Sequence, residues 1–115
     1  MKIVLCCAGG LSTTMLMNSM KDAVKKSPKL NEADFDFTAI PVDLLDSEVG
    51  DADAVVLGPQ ISHKVDVVKR GLGDRVADVP VVVVEKGIYG QMDGTTVLKK
   101  VLVERKKIEL AKAGK

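Results

Sequence analysis

At 115 residues with 46% hydrophobic side chains, the chain is sized for one domain, 1–115, and having no tryptophan, two phenylalanines and one tyrosine makes its core aliphatic. Seventeen basic residues against sixteen acidic leave a net charge of +1, which removes any electrostatic case for nucleic acid or an anionic membrane as the main partner. No run approaches the ~18 consecutive apolar residues of a membrane span, and the apolar segment at 3–8 is shorter than the ~7–15-residue core of a secretory signal, so a cytoplasmic protein is expected.

The first apolar run, KIVLCC at 2–7, predicts a buried strand. Residues 12–26 predict a helix, because Leu16, Met20, Ala23 and Val24 recur at helical spacing and Pro28 lies beyond the end. Within 34–42, Phe35, Phe37 and Ala39 alternate with Asp36 and Thr38. That is the pattern of a strand with one polar face near a sheet edge, closed by Pro41. Residues 42–49 predict a short helical turn. ADAVVLG at 52–58 reads as a third strand, and 62–73, with Val65, Val68 and Leu72, as a helix ended by Gly73. VPVVVV at 79–84 reads as a fourth strand, β-branched and buried on both faces. The last helix spans 93–113 with Val97, Leu98, Val101, Leu102, Ile108 and Leu110 as its apolar positions. Its basic run interleaves Glu104 and Glu109, the mark of a solvated face. Strands alternating with helices predict a parallel sheet covered on both sides. Ligands of such sheets bind at the carboxyl ends of the strands, which directs attention to the loops at 7–14, 58–62 and 85–94.

The chain's two cysteines are neighbours, Cys6 and Cys7. Adjacent residues rarely reach disulfide geometry, and a reducing compartment disfavours the bond. Two cysteines and one histidine are too few for an ordinary zinc site, so no metal is expected. Two readings stay open: small core side chains before a tight Gly-Gly turn, or a reactive thiolate. Strand alternation divides the pair. Cys6 lies inside the run and is assigned to packing, whereas Cys7 ends it and is assigned to chemistry. Beyond Cys7, Gly9 and Gly10 let the backbone curl with its N–H groups inward. Ser12 or Thr13 would cap the following helix, whose positive end would face the loop. Such a ring of amides suits a phosphate dianion, and it favours thiolate by lowering the thiol from its usual ~8.5.

This loop is neither a Walker A sequence nor GxGxxG. It resembles the C-x5-R-[ST] phosphate loop of low-molecular-weight tyrosine phosphatases, except that counting from Cys7 puts Thr13 where the arginine belongs and Thr14 at the hydroxyl position. Arginine there would clamp the phosphoryl oxygens and stabilise their transition-state charge. No Asp-Pro pair in the C-terminal half offers a general acid. A loop that accepts phosphate on sulfur without hydrolytic equipment would keep it until a second acceptor arrives, as a relay requires.

Taken whole, the sequence resembles the IIB components of the bacterial phosphoenolpyruvate-dependent sugar phosphotransferase system, in the lactose/cellobiose (diacetylchitobiose) class. Three segments carry the likeness in order. Cys7, Gly10, Leu11, Ser12, Thr13 and Thr14 fit C-x-x-G-[ML]-S-T-[ST]; Gly58-Pro59-Gln60-Ile61 fits GPQI; Tyr89-Gly90 and Asp93-Gly94 fit YGxxDG. The resemblance implies a three-layer αβα fold with an open four-stranded parallel sheet, similar to the low-molecular-weight tyrosine phosphatase type. It implies that Cys7 takes a phosphoryl group from a phosphohistidine of the IIA component. Cys7 would pass the group to a sugar bound in the membrane component IIC, such as the β-linked disaccharides cellobiose, chitobiose or lactose. Ala8, Gly9, Gly10, Leu11, Ser12, Thr13 and Thr14 would cradle the phosphoryl oxygens. No cofactor is implied, and the isolated chain is expected to be a monomer that docks peripherally on the membrane component. Gln60 would orient the loop or touch the partner, or else only cap a turn. Tyr89 would place its hydroxyl near the loop, or else cover the sheet end. Asp93 is expected to cap the last helix. His63 stands where relatives often carry an aromatic, and is expected to be an exposed residue at a helix start. The main alternative is a low-molecular-weight phosphatase or arsenate-reductase-like enzyme, which needs the arginine that Thr13 replaces. A receiver module would need acidic side chains where Cys7-Ala8 and Gly58-Pro59 stand, and a flavodoxin-like one would need aromatics that the chain lacks.

Overall fold

A computed structural model describes residues 1–7 and 10–113, with every side chain except those of residues 10–12 and 113. Four strands form one parallel sheet in the order β2-β1-β3-β4: β1 (Lys2–Cys6), β2 (Asp36–Ala39), β3 (Ala54–Leu57) and β4 (Val81–Val83). The central strands β1 and β3 are the continuous apolar runs of the sequence, and Ile3 to Cys6 and Ala54 to Leu57 are fully buried. Strand β2, whose polar residues alternate with apolar ones, takes an edge. This is the burial expected of parallel strands covered on both faces.

Alternation along β1 sends Ile3, Leu5 and Cys7 to one layer and Val4 and Cys6 to the other. On the first side, α1 (Gly10–Lys26) contributes Leu16, Met20 and Val24 at intervals of four, and α5 (Gly94–Ala113) contributes Val97, Leu98 and Val101. On the second side lie α2 (Leu45–Glu48), with Leu45, and α3 (Val65–Leu72), with Val68 and Leu72. Each fully buried Leu or Ile contributes ~1.5–3 kcal/mol, and truncating Leu16 to alanine would cost ~2–5 kcal/mol through the cavity it leaves.

The elements run shorter than the apolar patterns suggest. The strands expected at 2–7, 34–42, 52–58 and 79–84 each lose residues at one or both ends, and Ala52 and Val79 remain buried in the core outside the paired strands. The helix expected from 62 begins at Val65, after a 3₁₀ turn over Pro59–Lys64. The helix expected from 12 begins at Gly10. Leu110, the last apolar position of the expected helix, is 61% exposed, so the buried stripe of α5 ends before its last turns.

One helix was not foreseen: α4 (Lys86–Gly90), which leads into α5. It ends in a double-bonded turn, with Met92 N–H donating to the Tyr89 carbonyl at 3.0 Å and Asp93 N–H to that of Ile88 at 3.1 Å. Met92 takes the left-handed conformation this turn demands, φ 51°, which costs a non-glycine residue roughly 1–2 kcal/mol. The corner is tied to α1 by Ser19, whose hydroxyl donates to the Met92 carbonyl at 2.8 Å and accepts from Gly94 N–H at 2.9 Å. Gly94 itself lies so close to α1 that a Cβ would overlap the backbone of Ser19 and Met20.

The amino ends of the strands carry a polar cluster. The Lys2 N–H donates to the Asp53 carboxylate at 2.7 Å, and the Lys2 ammonium pairs with Asp51 at 2.8 Å. Arg75 donates to the carbonyls of Gly50 and Ala52, and Arg105 to that of Asp53 at 3.0 Å.

Candidate functional site

Cys7 follows β1 directly and is 5% exposed. It forms one wall of a cleft of about 370 Å³ completed by Thr13, Thr14, Ala39, Ile40, Pro41 and Val42. The wall opposite α1 therefore comes from the chain leaving β2, where Pro41 stops the strand. On the other flank a cleft of about 400 Å³ is lined by Pro59, Gln60, Lys86, Tyr89 and Gly90. Both lie at the carboxyl end of the sheet, where the loops were expected to act.

Cys6 and Cys7 differ as alternation requires. Cys6 is fully buried in the opposite layer, packed with Val4, Val55 and Leu57. Burial raises its pKa to about 11, with the neighbouring Cys7 adding to the rise, so Cys6 stays a protonated thiol at neutral pH. Of the two sulfurs, only that of Cys7 opens on a cleft.

Ala8 and Gly9 lie outside the described residues, as do the side chains of Gly10, Leu11 and Ser12, so the expected ring of amides at 8–9 does too. The helix start corrects one expectation. Because α1 runs from Gly10, Ser12 and Thr13 occupy its first turn instead of capping it. The first N–H groups of a helix lack an acceptor within it, and α1 starts three residues after Cys7. Thr13 is 3% exposed, while Thr14 is exposed at the cleft wall. Among the described residues, no buried side-chain nitrogen or oxygen lacks a hydrogen-bond partner.

The outer residues sort themselves by geometry. Tyr89, held by α4, is 8% exposed, packs in the same layer as Cys7 and lines the second cleft together with Gln60. Asp93 caps α5 as expected: its carboxylate accepts from the Thr96 N–H at 3.1 Å and the Thr96 hydroxyl at 2.6 Å. The Thr96 hydroxyl and amide hold the Asp93 pKa below the usual carboxylate range. His63 is exposed on the 3₁₀ turn and lines neither cleft.

The roles of two residues escaped the sequence reading. Lys86 brings a cation to the second cleft from the unforeseen helix α4. Gly58 touches Cys7 itself: a Cβ at Gly58 would stand 3.1 Å from the Cys7 sulfur and 2.8 Å from Gln60 Oε1. The sequence places Gly58 in the GPQI motif directly after a buried strand, but its contact with Cys7 cannot be read before the sheet order is known.

Among the described residues, no helix is long and apolar enough to cross a membrane. Residues 2–100 match the family model of the lactose/cellobiose-specific IIB subunit of the PTS system. The galactose-specific EIIB component of Lactococcus lactis subsp. cremoris is 34% identical over 99 residues, spanning 84% of this chain and 88% of the relative. The cellobiose-specific EIIB component of Lactococcus lactis subsp. lactis matches with the same identity and coverage. The solution structure of the cellobiose-specific IIB component from Borrelia burgdorferi superposes with a TM-score of 0.69 at 26% identity, covering 93% of each chain. The lactose-specific IIB domain from Streptococcus pneumoniae gives the same TM-score at 15% identity, over 89% of this chain and 94% of that one, which speaks to the fold. An open parallel αβα sheet with its cysteine at the carboxyl edge, the family match over nearly the whole length and these relatives agree: the chain belongs to the lactose/cellobiose-specific IIB family of the phosphotransferase system.

Proposed function

We propose that the chain is a single IIB-type domain, 1–115, in which Cys7 is a transient phosphoryl carrier. The observation that carries this reading is the separation of the two thiols, with Cys6 sealed in the core and Cys7 on a cleft beside the start of α1. In the first step the Cys7 thiol gives its proton to solvent and the sulfur attacks the phosphorus of a phosphohistidine on IIA. The S–P bond forms, the P–N bond breaks, and the imidazole nitrogen keeps the electron pair and takes up a proton. In the second step a hydroxyl of the sugar held by IIC attacks the same phosphorus. The O–P bond forms, the S–P bond breaks with its electrons returning to sulfur, and the hydroxyl proton leaves to solvent.

Residues 8–14 serve as the cradle in this reading, with backbone N–H groups on the phosphoryl oxygens. A dianion at a helix N-terminus gains ~0.3–1 kcal/mol, and up to ~2 kcal/mol where partly buried. With Thr13 in place of arginine, water has no clamp that would stabilise its attack, so the phosphocysteine persists between partners. Gln60 and Tyr89 support the site from the second cleft. The protein works in the cytoplasm and docks peripherally on IIC. The sugar is a β-linked disaccharide such as cellobiose, chitobiose or lactose, chosen mainly by IIC, since the carrier need only present phosphate to a hydroxyl.

The test is intact-mass analysis after incubation with the upstream phosphodonor chain, followed by peptide mapping. One phosphoryl group on Cys7, lost in Cys7→Ser and retained in Cys6→Ser, is the expected result. Undiminished labelling of Cys7→Ser would overturn the reading. Sustained Cys7-dependent turnover of p-nitrophenyl phosphate would favour the phosphatase alternative.

A further inference from the structure

We infer that Gly58 is a positioning residue for Cys7: the space left by its missing side chain holds the sulfur in line for phosphoryl transfer. The inference rests on Cys7 being the carrier. Strands β1 and β3 are neighbours, and their register pairs Cys6 with Leu57, so the residues just beyond, Cys7 and Gly58, leave the sheet side by side. The Gly58 backbone cannot swing away. Its N–H donates to the Cys6 carbonyl at 2.9 Å, its carbonyl accepts from Ile61 N–H at 3.1 Å, and the preceding Leu57 carbonyl accepts from Val84 N–H at 2.9 Å.

Against this fixed backbone, a single methyl group would meet three atoms at once. The Cys7 sulfur would lie at 3.1 Å, the Cys7 Cβ at 3.2 Å and Gln60 Oε1 at 2.8 Å. Ordinary side-chain contacts between heavy atoms begin near ~3.5 Å, so something must yield. The end of the Gln60 side chain is flexible and can turn aside. The sulfur has less freedom, because Cys7 is buried in the tightly packed layer of Leu5 and Tyr89 and follows a strand bonded on both sides. Its route out is a rotation about its own Cα–Cβ bond, which swings the nucleophile off its line of attack. Misplacing a reacting group by about 1 Å can cost roughly 100-fold in rate. Gly87 supplies the contrast, since a Cβ there meets nothing within 4 Å, and its substitution leaves the site's geometry alone.

The experiment is single-turnover phosphorylation of the native protein and of Gly58→Ala, Gly87→Ala, Gly58→Ala/Gln60→Ala and Cys7→Ser, with the phosphodonor chain varied in concentration. Gly58→Ala is expected to lower the maximal rate by 10–100-fold while the half-saturating donor concentration stays unchanged. Gly87→Ala is expected to match the native protein. A purely structural defect would instead reduce the fraction of molecules labelled, at a native rate constant. The double variant removes the 2.8 Å contact and tests the sulfur alone, and it serves if the single variant fails to fold. Measured beside Gln60→Ala alone, a slower double variant supports the inference, and a double variant no slower than Gln60→Ala, or a native rate in Gly58→Ala, overturns it. Labelling of Cys7→Ser would instead overturn the carrier reading, which keeps the two failures apart.

Discussion

At the amino ends of the strands, Arg75 and Arg105 reach the carbonyls of Gly50, Ala52 and Asp53, and Lys2 is tied to both Asp51 and Asp53. At the carboxyl ends, the chain is held by close backbone approach and small residues, and clefts open on either side of Cys7. The difference is one of division of labour. The proposed relay, which would receive a phosphoryl dianion from one protein and release it to another, needs open clefts at that end. The ionic and charged contacts that knit the sheet sit at the opposite end from Cys7. Stability and chemistry should therefore respond to different substitutions.

The largest expected effect lies at the carboxyl end. Cys7→Ser should abolish stable phosphoryl acceptance in the labelling assay, whereas Cys6→Ser should accept normally and lose ~1–3 kcal/mol of stability from its buried hydroxyl. Next comes Gly94→Ala, which forces a methyl group into the backbone of α1. Overpacking of this kind costs ~1–3 kcal/mol, read as a lower denaturant midpoint, with the transfer rate of the folded fraction unchanged. Arg75→Ala removes two charged hydrogen bonds from a partly exposed side chain, and a loss of about 1–2 kcal/mol is expected. The same rate measurement sharpens the comparison: a slower saturated transfer in folded Arg75→Ala would show that the two ends are not separable.

The smallest effect is a pH dependence. Asp93 titrates below its unfolded-chain value of about 3.9. Its contribution is therefore complete above that value and is lost as pH falls through the lower, folded-state pKa. Asp93→Ala should lower stability at neutral pH and flatten this part of the acid limb, as followed by thermal midpoints between pH 6 and the acid transition.

Much of this was legible in the residues. Alternating apolar runs and helical spacings predict a parallel sheet covered on both faces, and a period of two along β1 suffices to send Cys6 and Cys7 to opposite layers. The element ends were less legible, because residues such as Ala52 and Val79 are apolar for the core's sake and not for the ladder's. Helix α4 escaped because KGIYG has two glycines and too few residues for any period. The roles of Gly58 and Gly94 lie deeper still. Each is defined by what passes beside it, Cys7 in one case and α1 in the other, and both neighbours are distant along the chain.

The aliphatic core has a last, practical consequence. Without tryptophan, nearly all the protein's intrinsic ultraviolet emission comes from one phenol, that of Tyr89, buried among the side chains that pack with Cys7. In the proposed carrier role, charge arriving on Cys7, which shares this layer, would change the field around this lone fluorophore. Each round of loading and discharge should thus be visible in real time, with no dye attached to the molecule.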